Sequence, residues 1–402
     1  MKTALTAPKG NFPSKPELGL ALHSWLDGSN GTNRKRVPGA VQQIAATNDL
    51  EAVETWIRAR GGDNEHTVRS YRREAYRLMA WAVSFLGKPI SSMTSDDVMT
   101  YDEWLENPTA HPDWKERGWV LFKGPLSPSS RQQAKRILLG LFRWLCECGY
   151  LSGNPFAVVR SSKEKKVKRQ AQKDSLDRYI EHDLWLWFQS HLDEMEPQQG
   201  DELEQLRFER KRFIVTFLYW TALRRFELAK ATLGDIALQG DIWILNVAGK
   251  GHVDEESPDE VTLLPPAMDA LRRYLRARGL PEAPDRNDDD VPLVAALNGS
   301  PITGDYINRL LKEIFEAASE EAVKVNPGWK TALENITAHW MRHSFATHSV
   351  GIGIPMQAIA DQLRHSSLDT TRAIYAKLEQ KRRRKELNGL VTYNQRKHDP
   401  KS

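Results

Sequence analysis

Residues 339–348 read HWMRHSFATH, and they hold two kinds of side chain that can act on a phosphate. His339 and Arg342 lie three positions apart, so on a helix they share one face. A histidine exchanges a proton near neutral pH, whereas an arginine is always charged and forks onto phosphate oxygens. Histidines at this spacing are usually structural, so a functional interpretation depends on the rest of the chain.

Three other segments supply that context. They are TALRRFEL at 221–228, AGKGH at 248–252 and LRHSSLDTTRAIYAKL at 363–378. In chain order the polar residues run Arg, Lys, His-x-x-Arg, His, Tyr, and this order is specific although each member alone is weak. The pattern resembles the tyrosine recombinase, or phage integrase, family.

The resemblance implies an enzyme that cuts and rejoins DNA without a metal, ATP or another cofactor. Tyr375 would form a link to the 3′-phosphate, and this link conserves the energy of the broken bond. A tyrosine hydroxyl has a pKa near 10, so nearby cations must help it to react. Two arginines would stabilise the charge that builds on the nonbridging oxygens. The expected catalytic residues are Arg224, Lys250, His339, Arg342, His365 and Tyr375.

The resemblance also implies roles for Lys250 and for the remaining family positions. Lys250 lies in a predicted hairpin turn, from which its long side chain could reach the leaving 5′-oxygen. Glu227 matches an acidic residue that orients its neighbours. His343 and His348 also match the family, and we interpret them as packing or hydrogen-bonding residues.

This chain departs from the family pattern at three places. The family has Thr-Gly-Leu before the first arginine, whereas Ala222 replaces the glycine here, and Arg225 is the neighbouring alternative to Arg224. The family usually has Leu-Gly-His, whereas Arg364 precedes His365 here. Glycine permits positive φ at such a turn, so an arginine puts the local geometry in question. The loop after Lys250 is acidic, although the family is often basic there.

The chain divides by composition into an N-terminal and a C-terminal half. We predict a flexible extension at 1–40, a helical core-binding (SAM-like) domain at 41–160, a basic linker at 161–173 and a catalytic domain at 174–402. The expected fold class is mainly α with a small β-hairpin (α+β). Helices are expected at 41–61, 304–322, 337–350, 355–363 and 369–387, strands at DIWILNV and EVTLLP, and a loop at 106–128.

Clustered positive charge suggests contacts with DNA phosphates, although the net charge is only +4. The alternative is that these residues form a solvated linker and solvated helix faces. A second basic run, KRRRK at 381–385, has the same two interpretations. The candidate DNA-binding residues are Arg69, Arg73, Arg131, Lys135, Lys163, Lys165, Lys166, Lys168 and Arg169.

Other classes of site and location are disfavoured by the sequence. Cys146 and Cys148 lie two apart near a predicted helix end, so neither a disulfide nor a zinc site is expected. We predict a cytoplasmic protein with no metal and no membrane partner, because no apolar stretch is long enough for a span or a signal peptide. The resemblance implies double-stranded DNA as the partner and a tetramer on two DNA sites. A type IB topoisomerase and a non-catalytic DNA-binding protein remain alternatives.

Overall fold

The structure is a computed structural model that divides into two compact units, Met1–Gln172 and Lys173–Ser402. The predicted linker at 161–173 lies outside the residues that the structure describes. Those residues are 11–15, 17–18, 25–35, 42–62, 64–159, 178–197, 201–247, 259–285, 287–364, 372–376, 378–380, 383 and 387.

The N-terminal unit is helical where it is described. Side chains that accept hydrogen bonds from the first turn begin its helices, and Thr94 forms a full capping box with Asp97. A π-helical turn at Ala82–Leu86 follows the second helix, and a 3₁₀ turn lies at Ile90–Ser92. The helices are α1 (Asp49–Gly61), α2 (Glu65–Trp81), α3 (Ser95–Trp104), α4 (Pro112–Glu116), α5 (Pro128–Glu147) and α6 (Pro155–Val158).

Aromatic packing gives the segment at 106–128 more order than the sequence predicts. The segment contains α4, because Pro112 supplies a suitable first helical residue and Trp114 is drawn into the core. Trp114 packs edge-on to Trp104 and Phe85, and its indole N–H donates to Ser84 at 2.9 Å. The segment predicted as loop-like at 106–128 is therefore interrupted by the short helix α4.

The described part of 1–40 also differs from the expected flexible extension. Leu18 is buried, and the backbone of Asn11 forms an isolated parallel β-bridge with Trp119. In residues 25–35 the Asp27 carboxylate accepts from Ser29 N–H and forms a turn. The backbone N–H groups of Asn33 and Lys35 donate to the carbonyls of Ser91 and Tyr150. These stretches therefore belong to the N-terminal unit. The predicted helix at 41–61 begins only at Asp49, because Asn48 accepts from Glu51 N–H and caps it there.

Asp49 ties these N-terminal elements together. Its buried carboxylate accepts from the backbone N–H of Ser91 at 2.9 Å and from the hydroxyl of Tyr150 at 2.8 Å. The backbone of Gly28 lies so close that a Cβ there would come within 2.1 Å of Asp49 Cγ. Arg34 lies over the Tyr150 ring, with its guanidinium carbon 3.8 Å from the ring centre.

The C-terminal unit is mainly helical with one small sheet. The sheet has three antiparallel strands in sequence order, β1 (Ile236–Gln239), β2 (Ile242–Val247) and β3 (Asp259–Leu263). Its described helices are α7 (His182–Glu194), α8 (Glu202–Thr221), α9 (Arg225–Lys230), α10 (Pro265–Ala277), α11 (Gly304–Val325), α12 (Pro327–Glu334), α13 (Ala338–Gly351) and α14 (Met356–Leu363).

The expected fold class is confirmed, with additions. The predicted hairpin is the β2–β3 pair, in which Trp243 faces Leu263 and Val247 faces Asp259. The short elements β1 and α12 were not predicted. Residues 372–376 are helical, within the span predicted for the last helix.

Two sets of contacts hold α14 in place, one with β3 and one with the end of α8. The side-chain amide of Gln362 on α14 pairs with the exposed backbone edge of β3, accepting from Thr262 N–H at 3.2 Å and donating to Thr262 C=O at 2.9 Å. The α8 helix ends at Thr221, beside a small apolar cluster that α13 and α14 complete. Arg224 follows the end of α8, and His339 and Arg342 lie on α13, which contributes to this cluster.

We predict that Asp49→Asn removes a pH dependence from the stability of the protein. Burial raises the pKa of Asp49 to about 6, despite the hydrogen bonds from Ser91 and Tyr150, so the folded state favours the protonated carboxyl. This contribution to stability is fully present below the unfolded pKa of about 3.9 and is lost as the pH rises through 6. Urea titrations between pH 4 and 7 should show a larger fall in the free energy of unfolding for the wild type than for the variant.

The matched control is Glu103→Gln, which neutralises an exposed carboxylate on α3. It should retain the wild-type dependence on pH. Parallel pH profiles for Asp49→Asn and the wild type would contradict the prediction.

Candidate active site

Arg224 caps the start of α9 and extends its guanidinium towards solvent. Ala222 and Leu223 carry the chain from the end of α8 into this cap. The guanidinium Nη1 donates to Glu227 Oε1 at 2.6 Å, and the backbone N–H donates to Glu227 Oε2 at 2.7 Å. The side chain remains 40% exposed, so its other N–H groups can reach a phosphate.

Arg225, the neighbouring alternative, has a different environment. Its guanidinium pairs with Asp305 at 3.1 Å and lies over the ring of Phe226. The Arg225 guanidinium is thus engaged by Asp305 and Phe226 and does not pair with Glu227. This difference favours Arg224 as the phosphate-binding arginine.

Arg342 lies on α13 and is buried. Its Nη1 donates to the carbonyl of Ala222 at 2.7 Å, and its Nη2 donates to the carbonyl of Leu363. Burial, followed by the positive charges of Arg224 and Arg364, lowers the pKa of Arg342. The guanidinium is therefore held by neutral carbonyls among other cations, an environment that favours an approaching anion.

Both turns that Arg342 joins have unusual backbone geometry. Ala222 has φ 51° and Arg364 has φ 50°, and no other described non-glycine residue has a positive φ. These are the two positions at which the family pattern has glycine. A left-handed conformation costs a residue with a Cβ roughly 1–2 kcal/mol, so the packing around both turns must offset that strain.

Arg364 occupies its turn with a buried side chain. Its Nη2 donates to Glu227 Oε2, so the same carboxylate joins Arg224 and Arg364. Burial alone would raise the pKa of Glu227, but the charge of Arg364 and the hydrogen bonds from Arg224 lower it. Sequence reasoning did not assign Arg364 to the site, and its only signal was that it replaces a family glycine.

His339 precedes Arg342 by one turn of α13. Its Nε2 lies 2.8 Å from the Nε2 of His343, so the two rings share a hydrogen bond. The side chain reaches solvent. Desolvation by its neighbours, followed by the charges of Arg342, Arg178 and Arg224, nevertheless lowers the pKa of His339. A neutral imidazole at neutral pH can accept a proton.

His348 lies apart from these charged groups. It is held between the hydroxyl of Tyr219, at 2.8 Å from Nδ1, and the carbonyl of Ile180, at 2.9 Å from Nε2. Burial lowers the pKa of His348 to about 4, so it stays neutral. These contacts agree with the hydrogen-bonding role expected from the sequence.

Tyr375 packs next to the same two turns. Its half-buried ring borders the small cluster that contains Ala222, Phe345 and Leu363. The hydroxyl donates to the carbonyl of Ile354, and desolvation raises the pKa of Tyr375. Tyr375 is therefore a neutral phenol in this arrangement.

Two predicted catalytic residues, Lys250 and His365, lie outside the described residues. The structure thus brings Arg224, Arg342 and Tyr375 around the turns at 222 and 364, with His339 on the same helix as Arg342. The basic run containing Lys163, Lys165, Lys166, Lys168 and Arg169 also lies outside the described residues.

The DNA-binding candidates of the N-terminal unit differ in availability. Arg69 is exposed on α2, and Arg73 pairs with Glu74 at 2.8 Å while remaining 42% exposed. The other two are more covered and hold carboxylates at 2.5 Å: Arg131 pairs with Glu106, and Lys135 pairs with Asp102. Such pairs near the surface are weak, so a phosphate could displace either carboxylate.

Within the described residues, no group of three or more histidine, cysteine, aspartate or glutamate side chains could hold a metal ion. Cys146 and Cys148 are both free. A search of the described helices found none long and apolar enough to cross a membrane.

Residues 198–382 match the model of the phage integrase family. Tyrosine recombinase XerC of Chlorobaculum parvum is 29% identical over 260 residues, which cover 63% of this chain and 70% of the relative. Tyrosine recombinase XerC of Rhodospirillum centenum is 24% identical over 336 residues, which cover 83% of this chain and 84% of the relative.

Solved structures of recombinases share the fold. The XerH site-specific recombinase in its post-cleavage complex with a palindromic difH substrate matches with a TM-score of 0.57 at 17% identity, covering 96% of this chain and 99% of that one. The Tn1549 transposon integrase in complex with transposon right-end DNA matches with a TM-score of 0.51 at 20% identity, covering 82% of this chain and 98% of that one.

The family model covers the segment that carries Arg224, His339, Arg342 and Tyr375. The relatives extend the similarity across most of the chain. Residues 198–382 therefore carry a phage integrase family domain, and the chain is similar to tyrosine recombinases over most of its length.

Proposed function

We propose that this site-specific recombinase cleaves and rejoins double-stranded DNA through a 3′-phosphotyrosine link at Tyr375, without a metal ion or ATP. The observation that carries the proposal is the convergence of Arg224, Arg342 and Tyr375 on the turns at 222 and 364. Solved relatives of the same fold are complexes with DNA, which supports DNA as the substrate.

The phosphate would lie against the guanidinium groups of Arg224 and Arg342. Attack on a phosphodiester adds negative charge to the nonbridging oxygens, and fixed cations lower the barrier by stabilising that charge. Arg342 uses one N–H on each of two carbonyls, and a guanidinium has five donors, so donors remain for the phosphate.

In the first step the Tyr375 oxygen attacks phosphorus as its hydroxyl proton leaves. The P–O5′ bond breaks, the tyrosine becomes joined to the 3′-phosphate, and the 5′-oxygen must gain a proton. His339, which a lowered pKa keeps neutral, is the candidate acceptor for the tyrosine proton. Lys250 is the candidate donor to the 5′-oxygen. In the second step a 5′-hydroxyl attacks the phosphotyrosine as its proton passes to Lys250. The bond between phosphorus and the Tyr375 oxygen breaks, that oxygen regains its proton from His339, and the phosphodiester is restored.

Attack also requires Tyr375 to leave the carbonyl of Ile354. A hydroxyl that donates to a carbonyl keeps its proton and is weakly nucleophilic. We therefore assign this arrangement to the resting enzyme, and propose that DNA binding releases the tyrosine.

The proposed biological role is integration and excision, or resolution, of a mobile element or replicon. Four protomers acting on two DNA sites would complete the exchange of strands, and a cytoplasmic location fits a DNA substrate. Strand exchange between two DNA sites separates this function from that of a type IB topoisomerase, which only relaxes supercoils. A non-catalytic DNA-binding protein would form no covalent adduct.

We predict that Tyr375→Phe binds DNA normally but forms no covalent complex. The variant keeps the ring in its apolar cluster and loses only the hydroxyl that attacks phosphorus. The measurement is denaturing gel electrophoresis of the protein after incubation with a substrate nicked near the cleavage site, which traps the cleaved state.

Tyr306→Phe is the matched control, because this hydroxyl accepts from Arg210 and has no contact with the candidate site among the described residues. It should form the adduct at the wild-type rate. An adduct in Tyr375→Phe that survives denaturant would assign the nucleophile to another residue.

We predict that Lys250→Ala slows cleavage of ordinary DNA by roughly 10²–10⁴-fold, the usual contribution of a positioned acid. Without a proton, the 5′-oxygen must leave as a strongly basic alkoxide. A sulfur at the 5′-bridging position leaves readily without a proton, so the variant should recover most of its rate on that substrate. Single-turnover cleavage of the two substrates measures the effect.

Arg224→Ala is the comparison variant, and it should stay slow on both substrates because it loses charge stabilisation. If Lys250→Ala is equally slow on oxygen and sulfur substrates, then Lys250 is not the acid. His339 or a residue of the acidic loop after Lys250 would become the next candidate.

A further inference from the structure

Arg364 is a buried arginine in a backbone conformation that glycine adopts more readily. Its φ of 50° and ψ of 49° are left-handed, and it ends α14 as the C-terminal cap. A cap alone would be satisfied by glycine without steric strain. The side chain therefore needs an explanation beyond the turn.

The contacts of Arg364 direct its charge into the candidate site. Nη2 holds Glu227, and Nη1 donates to the carbonyl of Gln362 at 3.2 Å. The side chain is only 4% exposed, and its Nε has no hydrogen-bond partner within the described part of the chain. A charge so far from water is weakly screened and acts strongly on its neighbours.

The charges around Glu227 can be counted. Arg224 and Arg364 both pair with this carboxylate. Arg342 lies near enough to these two arginines that their charges lower its pKa. Among the described groups, these three guanidinium groups and the Glu227 carboxylate that pairs with two of them leave two net positive charges. Without Arg364, Glu227 would cancel one of the two arginines that face the phosphate, and one net positive charge would remain.

That difference matters for the reaction proposed above. A phosphodiester carries one negative charge in the ground state, and its charge grows towards two as the nucleophile adds. Catalysis requires interactions that are stronger in the transition state than in the ground state. Two net positive charges match the transition state better than one.

We propose that Arg364 is a positioning residue that neutralises Glu227, so that Arg224 keeps its orientation and its full charge for the phosphate. This inference rests on the proposed phosphoryl transfer at Tyr375. Glu227 orients Arg224 through two hydrogen bonds, and Arg364 offsets the negative charge which that orientation requires. Arg364 itself does not need to touch the DNA.

The test compares three substitutions of Arg364 in the full-length protein. Arg364→Lys keeps the charge, while Arg364→Gly and Arg364→Asn remove it and tolerate the left-handed turn. Arg276→Asn is the matched control, because it removes an exposed arginine that pairs with Glu282 in the same unit. The readout is the single-turnover rate of adduct formation on a nicked substrate.

We expect Arg364→Gly and Arg364→Asn to lose roughly 10- to 100-fold in rate, less than the 10²–10³-fold typical of a donor that touches the oxyanion. Arg364→Lys should retain most of the wild-type rate, and Arg276→Asn should retain all of it. Equal losses in the Lys and Asn variants, or no loss in the Gly variant, would overturn the proposal.

A second substrate separates charge from structure. A methylphosphonate at the cleavage site removes one negative charge, so Arg364→Gly should then react within about threefold of the wild type. An undiminished gap would mean that Arg364 acts through structure alone. Failure of the wild type to form any adduct on ordinary nicked DNA would instead refute the proposed function.

Discussion

The guanidinium of Arg342 is the contact on which the rest of the site depends. From the middle of α13 it donates to the carbonyls of Ala222 and Leu363, where α8 and α14 end. Arg224 follows the first carbonyl by two residues, and His365 follows the second by two residues. One side chain thus fixes the two chain segments that carry the other phosphate-binding candidates.

This arrangement places positive charges close together with little to offset them. Arg342 is buried against neutral carbonyls, and Glu227 is the carboxylate that pairs with both Arg224 and Arg364. Such a cluster is unfavourable when empty, since each cation opposes its neighbours. In the proposed reaction a DNA phosphate would supply the missing negative charge, and relief of this repulsion would add to the affinity for substrate and transition state.

The sequence predicted what depends on local pattern. The spacing of His339 and Arg342 placed both on one helix, and the alternation of apolar residues predicted the β2–β3 hairpin. The role of Arg364 could not be predicted, because its ion pair joins residues 137 positions apart and its turn is adopted against the usual preference of the residue type.

Dependence on contacts between distant residues also explains why the N-terminal unit differs from the sequence prediction. The segment at 25–35 is rich in glycine, asparagine and serine, a composition that favours disorder in isolation. Its order comes from contacts with Asp49, and that carboxylate in turn bonds to Tyr150, 101 positions away. The short elements β1 and α12 likewise depend on pairing and packing with distant parts of the chain.

The most direct test of covalent catalysis by protein cations alone is mass spectrometry of the trapped adduct. The full-length protein would react with a nicked DNA substrate in excess EDTA, and the adduct would be digested with protease and nuclease. The account predicts one modified peptide, in which Tyr375 carries a 3′-linked nucleotide. A modification on another residue, a 5′ linkage, or an adduct that forms only when magnesium is restored would contradict it.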